Sequence, residues 1–142
     1  MAILQGAAYW AAVTTPNTTF EPVYSVNLVV DQAVADDFAS RGFTIKQMDE
    51  GPAVVIKRKV NGPNGMIRQA PRLVDAHKNQ LDARIGNGST VKVQYKEWQS
   101  EWKGKTFYGL DFQAMQVIDL IEVGSPDGSE FEALMSDMDD EL

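Results

Sequence analysis

A stretch of alternating residues between positions 89 and 98 carries the clearest sign of chemistry in this chain. Strand alternation would place three apolar side chains on one face, namely Val91, Val93 and Tyr95. The opposite face would carry a mixed basic and aromatic strip, namely Lys92, Gln94, Lys96 and Trp98. Lysines neutralise phosphates, and a ring beside them can stack on a base, which is worth ~1–3 kcal/mol per base without regard to sequence. The strip therefore predicts a surface that binds a single-stranded nucleic acid.

The same mixture of rings and lysines continues through the next segment, with Trp102, Lys103, Lys105, Phe107 and Tyr108. For any single residue an ordinary structural role is as good an interpretation, with Tyr95 or Phe107 in the core and the lysines solvated. Several rings at loop positions are harder to explain that way, because an exposed apolar cluster usually marks a contact surface.

A second basic cluster closes an earlier strand with Lys57, Arg58 and Lys59. At least two of these three must face outward, because successive side chains on a strand alternate. Together with bases beyond a Gly-rich turn they would form a groove wall that follows a phosphate backbone; those bases are Arg68, Arg72 and Lys78. The alternative is a charged strand edge that discourages aggregation.

Charge is divided unevenly along the 142 residues. All thirteen bases lie in residues 41–105, which hold only six acids, whereas residues 125–142 hold seven acids and no base. A basic body followed by an acidic tail is typical of a protein that binds polyanions and competes with itself for them. The net charge of -7 therefore does not argue against nucleic-acid binding.

Enzymatic and metal-dependent functions find little support. The chain has no Cys, and His77 is its only histidine, so neither a zinc site nor a nucleophile–base pair is indicated. We expect a protein that is not an enzyme and needs no cofactor or metal. The N-terminus lacks the basic start of a signal peptide, and no apolar run approaches the ~18 residues of a membrane span.

Residue patterns predict six or seven strands and one helix of about ten residues. The helix would begin at Asp31 and end near Arg41, before Gly42. In the second strand, every second residue from Tyr24 to Val30 should face inward. A polar turn is expected at 99–105, between the last two strands. The predicted strands are 8–14, 22–30, 43–48, 53–60, 71–76, 89–98 and 106–122. This favours a mainly β protein with a small barrel or sandwich.

A breaker-rich segment at 124–129 ends the folded part. We predict one domain over 1–124 and a disordered acidic tail over 125–142. Two interpretations stay open for the apolar residues of that tail: a docking segment for partner proteins, or incidental residues of a disordered chain. The candidate docking residues are Phe131, Leu134, Met135, Asp137, Asp139, Asp140, Glu141 and Leu142.

An ordered set of segments resembles tailed-phage single-stranded DNA-binding proteins with an OB-fold. The matching segments are residues 6–30, 56–59, 74–79, 85–89 and 109–117. Residues 105–109 depart from the pattern by carrying two large rings, which would add stacking surface. The resemblance covers nearly the whole chain, and its matching positions include Lys57, Arg58, Lys59, Tyr95, Lys105 and the tail.

The resemblance implies a five-stranded barrel with additions that binds single-stranded DNA without sequence preference. It also implies a tail that recruits replication or recombination proteins, and a location in the cytoplasm of the infected bacterial host. Two other functions stay open at this point: RNA binding on the same barrel, and a protein-interaction domain that binds no nucleic acid. Association of several copies of the chain is also left open.

Overall fold

The computed structural model describes residues 2–121. The predicted domain boundary at 124 and the predicted tail lie outside these residues. The elements are β1 (Ala2–Asn17), β2 (Val23–Val29), α1 (Gln32–Ser40), β3 (Ile45–Met48), β4 (Gly51–Lys59), β5 (Arg72–Val74), β6 (Ser89–Trp102) and β7 (Lys105–Asp119), with a 3₁₀ turn at Pro63–Gly65.

Five of the seven strands close into a barrel in the order β1, β2, β4, β7, β6. All neighbours are antiparallel except at the closure, where β4 meets β7 in parallel through the single pair Lys57 and Asp111. Strand β3 extends the sheet beyond β4, and β5 pairs in parallel with β7 beside the closure. The predicted mainly β fold, an OB-type barrel with extra strands and one helix, is confirmed.

Alternation along the strands builds the core, as predicted. In β2 the inward side chains Tyr24, Val26 and Leu28 are buried, and in β6 the inward set is Val91, Val93 and Tyr95. Burying such side chains is the main source of stability for a barrel of this size. The largest fully buried side chains are Phe112, Leu28, Ile56 and Met115.

Helix α1 packs its buried residues Ala35 and Phe38 against the barrel. The helix ends at Ser40. Gly42 follows with a left-handed φ of +100°, and the Phe43 N–H returns to the Phe38 carbonyl at 3.0 Å. A glycine at this position allows the chain to reverse at no steric cost. The Phe38 and Phe43 rings consequently meet edge to face, 5.6 Å apart.

The predicted polar turn at 99–105 is wrong. Pairing of β6 with β7 continues to Trp102 and Lys105, so the turn consists only of Lys103 and Gly104. Both have positive φ, +51° and +78°, which is the backbone that a two-residue hairpin turn requires. Hydrogen bonds between β6 and β7 thus continue through polar residues whose composition is typical of a loop. Strand β1 is likewise longer than predicted, because it pairs with β6 from Ala2 onward.

Candidate nucleic-acid interface

Strands β6 and β7 continue past the barrel as a two-stranded ribbon, residues 97–110. Residues directly opposite each other share a face, so the cross-strand pairs assign each side chain to one of two surfaces. One surface, here called the aromatic face, carries Lys96, Trp98, Ser100, Trp102, Lys105 and Phe107. The other, the acidic face, carries Glu97, Gln99, Glu101, Thr106 and Tyr108.

The rings of the aromatic face are open to solvent. Trp98 is 46% exposed, Trp102 64% and Phe107 44%, which is unusual for side chains of this size. At the turn, the Lys103 ammonium lies 4.5 Å from the centroid of the Trp102 ring, in cation–π contact. The hairpin therefore presents flat apolar surface next to positive charge.

The acidic face is fixed at its base to the end of α1. The Arg41 guanidinium binds the Glu97 carboxylate at 2.8 Å. The Tyr108 ring packs edge to face on Phe43, at 5.7 Å, and lies so close to Gly42 that a Cβ there would be 2.7 Å from Cε2 of the tyrosine. These contacts set the angle at which the ribbon leaves the barrel.

A cleft of about 380 Å³ separates β4 from the departing ribbon. It opens where β7 diverges from β4, next to the Lys57–Asp111 pair that closes the barrel. Lys57 is exposed and lines the cleft opposite Trp98 and Phe107. The floor and remaining walls come from Phe43, Thr44, Val55, Tyr108, Gly109 and Leu110. An ammonium group and two open rings thus converge on one channel.

Arg58 does not line this channel, because its guanidinium is engaged with Asp111, and its predicted phosphate contact stays a prediction. Its Nη2 and Nε bind the two carboxylate oxygens of Asp111 at 2.6 and 2.9 Å, and Nη1 donates to the Gln69 carbonyl. The neighbours Lys57 and Lys59 are exposed, which confirms that two of the three bases face outward. Burial alone would raise the pKa of Asp111, but hydrogen bonds from Arg58 and Gln113 lower it below its usual value.

Tyr95 is a core residue, and its predicted contact with nucleic acid is wrong. Only 5% of it is exposed, and its ring lies 6.1 Å from that of Phe38. Burial raises the pKa of its hydroxyl. The physical reason is its inward position on β6, next to Val93, where a stacked base could not reach it.

The remaining predicted bases lie outside the cleft. Lys59 is exposed and lies 3.7 Å from Glu21. Arg68 donates to the carbonyls of Lys59 and Asn61 and so fixes the loop after β4, while Arg72 is exposed on β5.

Lys78 and Lys92 line a separate groove with Ile3, Val74, Gln94, Ala114, Met115 and Gln116. Lys92 and Lys96 face the same way on β6 and lie four residues, or about 13 Å, apart along the strand. The structure therefore separates Lys78 and Lys92, which line this groove, from Lys57, which lines the cleft.

Three residues of the site were not identified from the sequence. Arg41 was considered only as part of a helix end and Phe43 only as the start of a strand, yet both border the ribbon. Gly109 entered the sequence analysis only as part of a segment that matches the phage proteins, whereas the Trp98 indole lies directly against it. A glycine directly opposite a tryptophan in a hairpin is the signal that could have revealed this contact.

Within residues 2–121 no group of three or more His, Asp or Glu side chains is placed to hold a metal ion. Among the same residues, α1 is the only α-helix, and it is too short to cross a bilayer. The chemistry that the described surface offers is stacking and charge neutralisation.

The barrel and its ribbon define an OB-fold of the type found in phage single-stranded DNA-binding proteins. The structure of gp2.5, a single-stranded DNA-binding protein encoded by bacteriophage T7, superposes with a TM-score of 0.63 at 16% identity, covering 89% of this chain and 91% of that one. The single-stranded DNA-binding protein of bacteriophage Enc34 gives 0.59 at 12% identity, over 94% and 89%. Its complex with single-stranded DNA also gives 0.59 at 12% identity, over 87% and 89%.

No protein-family model matches the sequence, and no curated protein does. At 12–16% identity the likeness to these structures is one of fold.

Proposed function

We propose that this protein binds single-stranded DNA without sequence preference and protects transient single strands during phage DNA replication, recombination or repair. The observation that carries the proposal is the aromatic face of the ribbon, where Trp98, Trp102 and Phe107 are exposed among lysines. Two of these rings, Trp98 and Phe107, open onto a cleft with Lys57. Solved phage proteins with this fold bind single-stranded DNA, and one is seen in complex with it.

Two interactions would contribute to the free energy of DNA binding. Bases stack on the open rings, which is tolerant of sequence because every base has a flat face. Lysines of the cleft and ribbon neutralise phosphates and release counterions, so log affinity should fall by about 0.7 for each phosphate contact per tenfold rise in salt. No covalent bond is formed or broken, so the proposed protein is not an enzyme and uses no cofactor.

The acidic segment 125–142 completes the proposal. Its seven acids would compete with DNA for the basic surface and present a docking segment, from Phe131 to Leu142, to replication or recombination proteins. The protein would act in the cytoplasm of the infected bacterial host, either alone or associated with further copies of the chain.

Quenching of intrinsic tryptophan fluorescence by oligo-dT tests the proposal directly, because all three tryptophans are exposed. We expect saturable quenching at low salt that weakens as salt is added. Absence of quenching would favour a protein-interaction domain instead. Competition with an RNA oligonucleotide of equal length comes next: equal or stronger competition by RNA would favour an RNA-binding protein.

A further inference from the structure

A second exposed tryptophan site lies at the other end of β6. Trp10 is 68% exposed and borders a groove of about 490 Å³ between the second half of β1 and the loop at 83–85. Strand β1 pairs with β6 only as far as Ala8 and Ser89. Beyond that point one edge of β1 pairs with β2, and the groove runs along the opposite edge, which no described strand covers.

Trp10 has a backbone conformation that suits a glycine. Its φ is +53°, and the β1–β2 register shifts between Tyr9 and Ala12, so one extra residue of β1 is accommodated there. In such bulges the left-handed position is commonly a glycine, because a side chain is strained in it. The Asn87 side chain holds this geometry by accepting the Trp10 N–H at 2.8 Å. A large ring kept exposed on a strained backbone points to a role in binding.

The groove has the chemistry of a nucleic-acid contact. Arg84 is exposed, forms no salt bridge with a described residue, and is the only charged side chain among the described residues that line the groove. Hydroxyl and amide groups of Thr14, Thr15 and Asn17 line the same groove. A cation and an open indole that line one groove suit a phosphate and its base, whereas the uncharged strand edge alone would suit a peptide equally well.

The Trp10 groove shares no lining residue with the cleft at the ribbon. Ser89 pairs with Ala8 near the groove, and Trp98 lies nine positions farther along β6, so these two residues are roughly 30 Å apart along the strand. We propose that the groove is a second single-stranded DNA contact, in which a base stacks on Trp10 and Arg84 binds a phosphate. This inference rests on the proposed function and extends it, because one long strand would occupy both sites.

The test uses Trp10→Gly in the full chain, with oligo-dT of two lengths. Glycine removes the ring but suits the left-handed backbone, so we expect the melting temperature to stay the same or rise. Affinity for an oligonucleotide of about 4 nucleotides should be unchanged, because it fills the cleft alone, while affinity for one of about 16 should fall about fivefold or more. Trp10→Phe keeps a ring and should retain most of the binding, and Arg84→Gln should weaken only the longer complex.

Three results would overturn the inference: unchanged affinity of Trp10→Gly for the longer strand, a marked fall in its melting temperature, or a change in the mass of the free protein in sedimentation. The second would make Trp10 a structural residue, and the third would make the groove a protein interface. In each case binding of the short strand by the wild type would leave the proposed function intact. If the wild type bound neither strand, both proposals would be wrong.

Discussion

The indole of Trp98 lies against the backbone of Gly109, its direct partner across the ribbon. A Cβ on Gly109 would lie 2.7 Å from the indole Nε1 and closer still to Cε2 and Cζ2 of the ring. Contacts this short do not occur between real atoms, so any other residue at 109 must displace the tryptophan. Gly109 therefore determines where the largest ring of the cleft can lie.

We expect Gly109→Ala to weaken DNA binding by displacing that ring, with a loss of up to the ~1–3 kcal/mol that stacking of one base contributes. Titration of oligo-dT against the variant measures it. The matched control is Trp98→Ala, alone and combined with Gly109→Ala. If Gly109 acts through Trp98, the double variant binds no worse than Trp98→Ala. A further loss in the double variant would show that the glycine has a separate role.

Trp102→Ala should lower affinity for DNA and leave the melting temperature nearly unchanged, because the ring is 64% exposed at the tip of the ribbon. Tyr95→Phe is the matched aromatic control, since Tyr95 is buried and its ring remains. We expect its affinity to equal that of the wild type. A large drop in melting temperature for Trp102→Ala would mean that this ring contributes to the fold instead.

Substitutions of the neighbours Lys57 and Arg58 should have different effects, the first on DNA binding and the second on stability. Lys57→Gln removes an exposed cation of the cleft, so the salt dependence of log affinity should decrease by about 0.7 in slope. Arg58→Gln removes hydrogen bonds to a partly buried carboxylate and should lower the free energy of unfolding by roughly 1–3 kcal/mol. Its salt slope should match that of the wild type, and a reduced slope would place Arg58 on the phosphates after all.

Asp111 should make part of the stability pH-dependent. Its pKa is lower in the folded protein than the ordinary value for an aspartate, because the Arg58 and Gln113 hydrogen bonds outweigh burial. A carboxylate of this kind stabilises the fold above its unfolded pKa of about 3.9, and that contribution is lost as the pH falls through the lower, folded value. Urea unfolding of wild type and Asp111→Asn at about pH 7 and about pH 2.5 tests this. The wild type should have the larger free energy of unfolding at neutral pH and lose that difference in acid. An equal difference at both pH values would contradict the role assigned to Asp111.

Deletion of residues 125–142 should strengthen binding to oligo-dT at low salt, because seven acids no longer compete for the basic surface. The gain should shrink as salt is added. A full-length variant with these acids changed to Asn and Gln is the matched control, and it should behave like the deletion if charge is responsible. Unchanged or weaker binding would rule out competition by the tail.

Periodicity predicted a mainly β protein, with a barrel and a sandwich both left open, and the resemblance to phage proteins is what favoured the barrel. The alternation of β6 correctly separated Val91 and Val93 from Lys96 and Trp98, because one face of a barrel strand must be buried. Arg58 could not be assigned in the same way. Its partner Asp111 is 53 residues away and meets it only when β4 and β7 close the barrel.

Contacts of that range also explain the other omissions. The close approach of Tyr108 to Gly42 and the ion pair between Arg41 and Glu97 depend on the angle between α1 and the ribbon. Local sequence patterns do not contain this angle. Trp10 was missed because its left-handed backbone arises from the β1–β2 register, and residue type alone gives no indication of it.

The closure between β4 and β7 is the narrowest join in the barrel, a single parallel pair beside the open cleft. A ligand that contacts Lys57 on one strand and Phe107 on the other would bridge this join. Such a ligand would stabilise the closed barrel as long as it is bound. The melting temperature of the protein would therefore rise with ligand concentration, as mass action requires. A thermal-shift titration would in this way measure ligand binding through the thermal stability of the barrel, with no label on either partner.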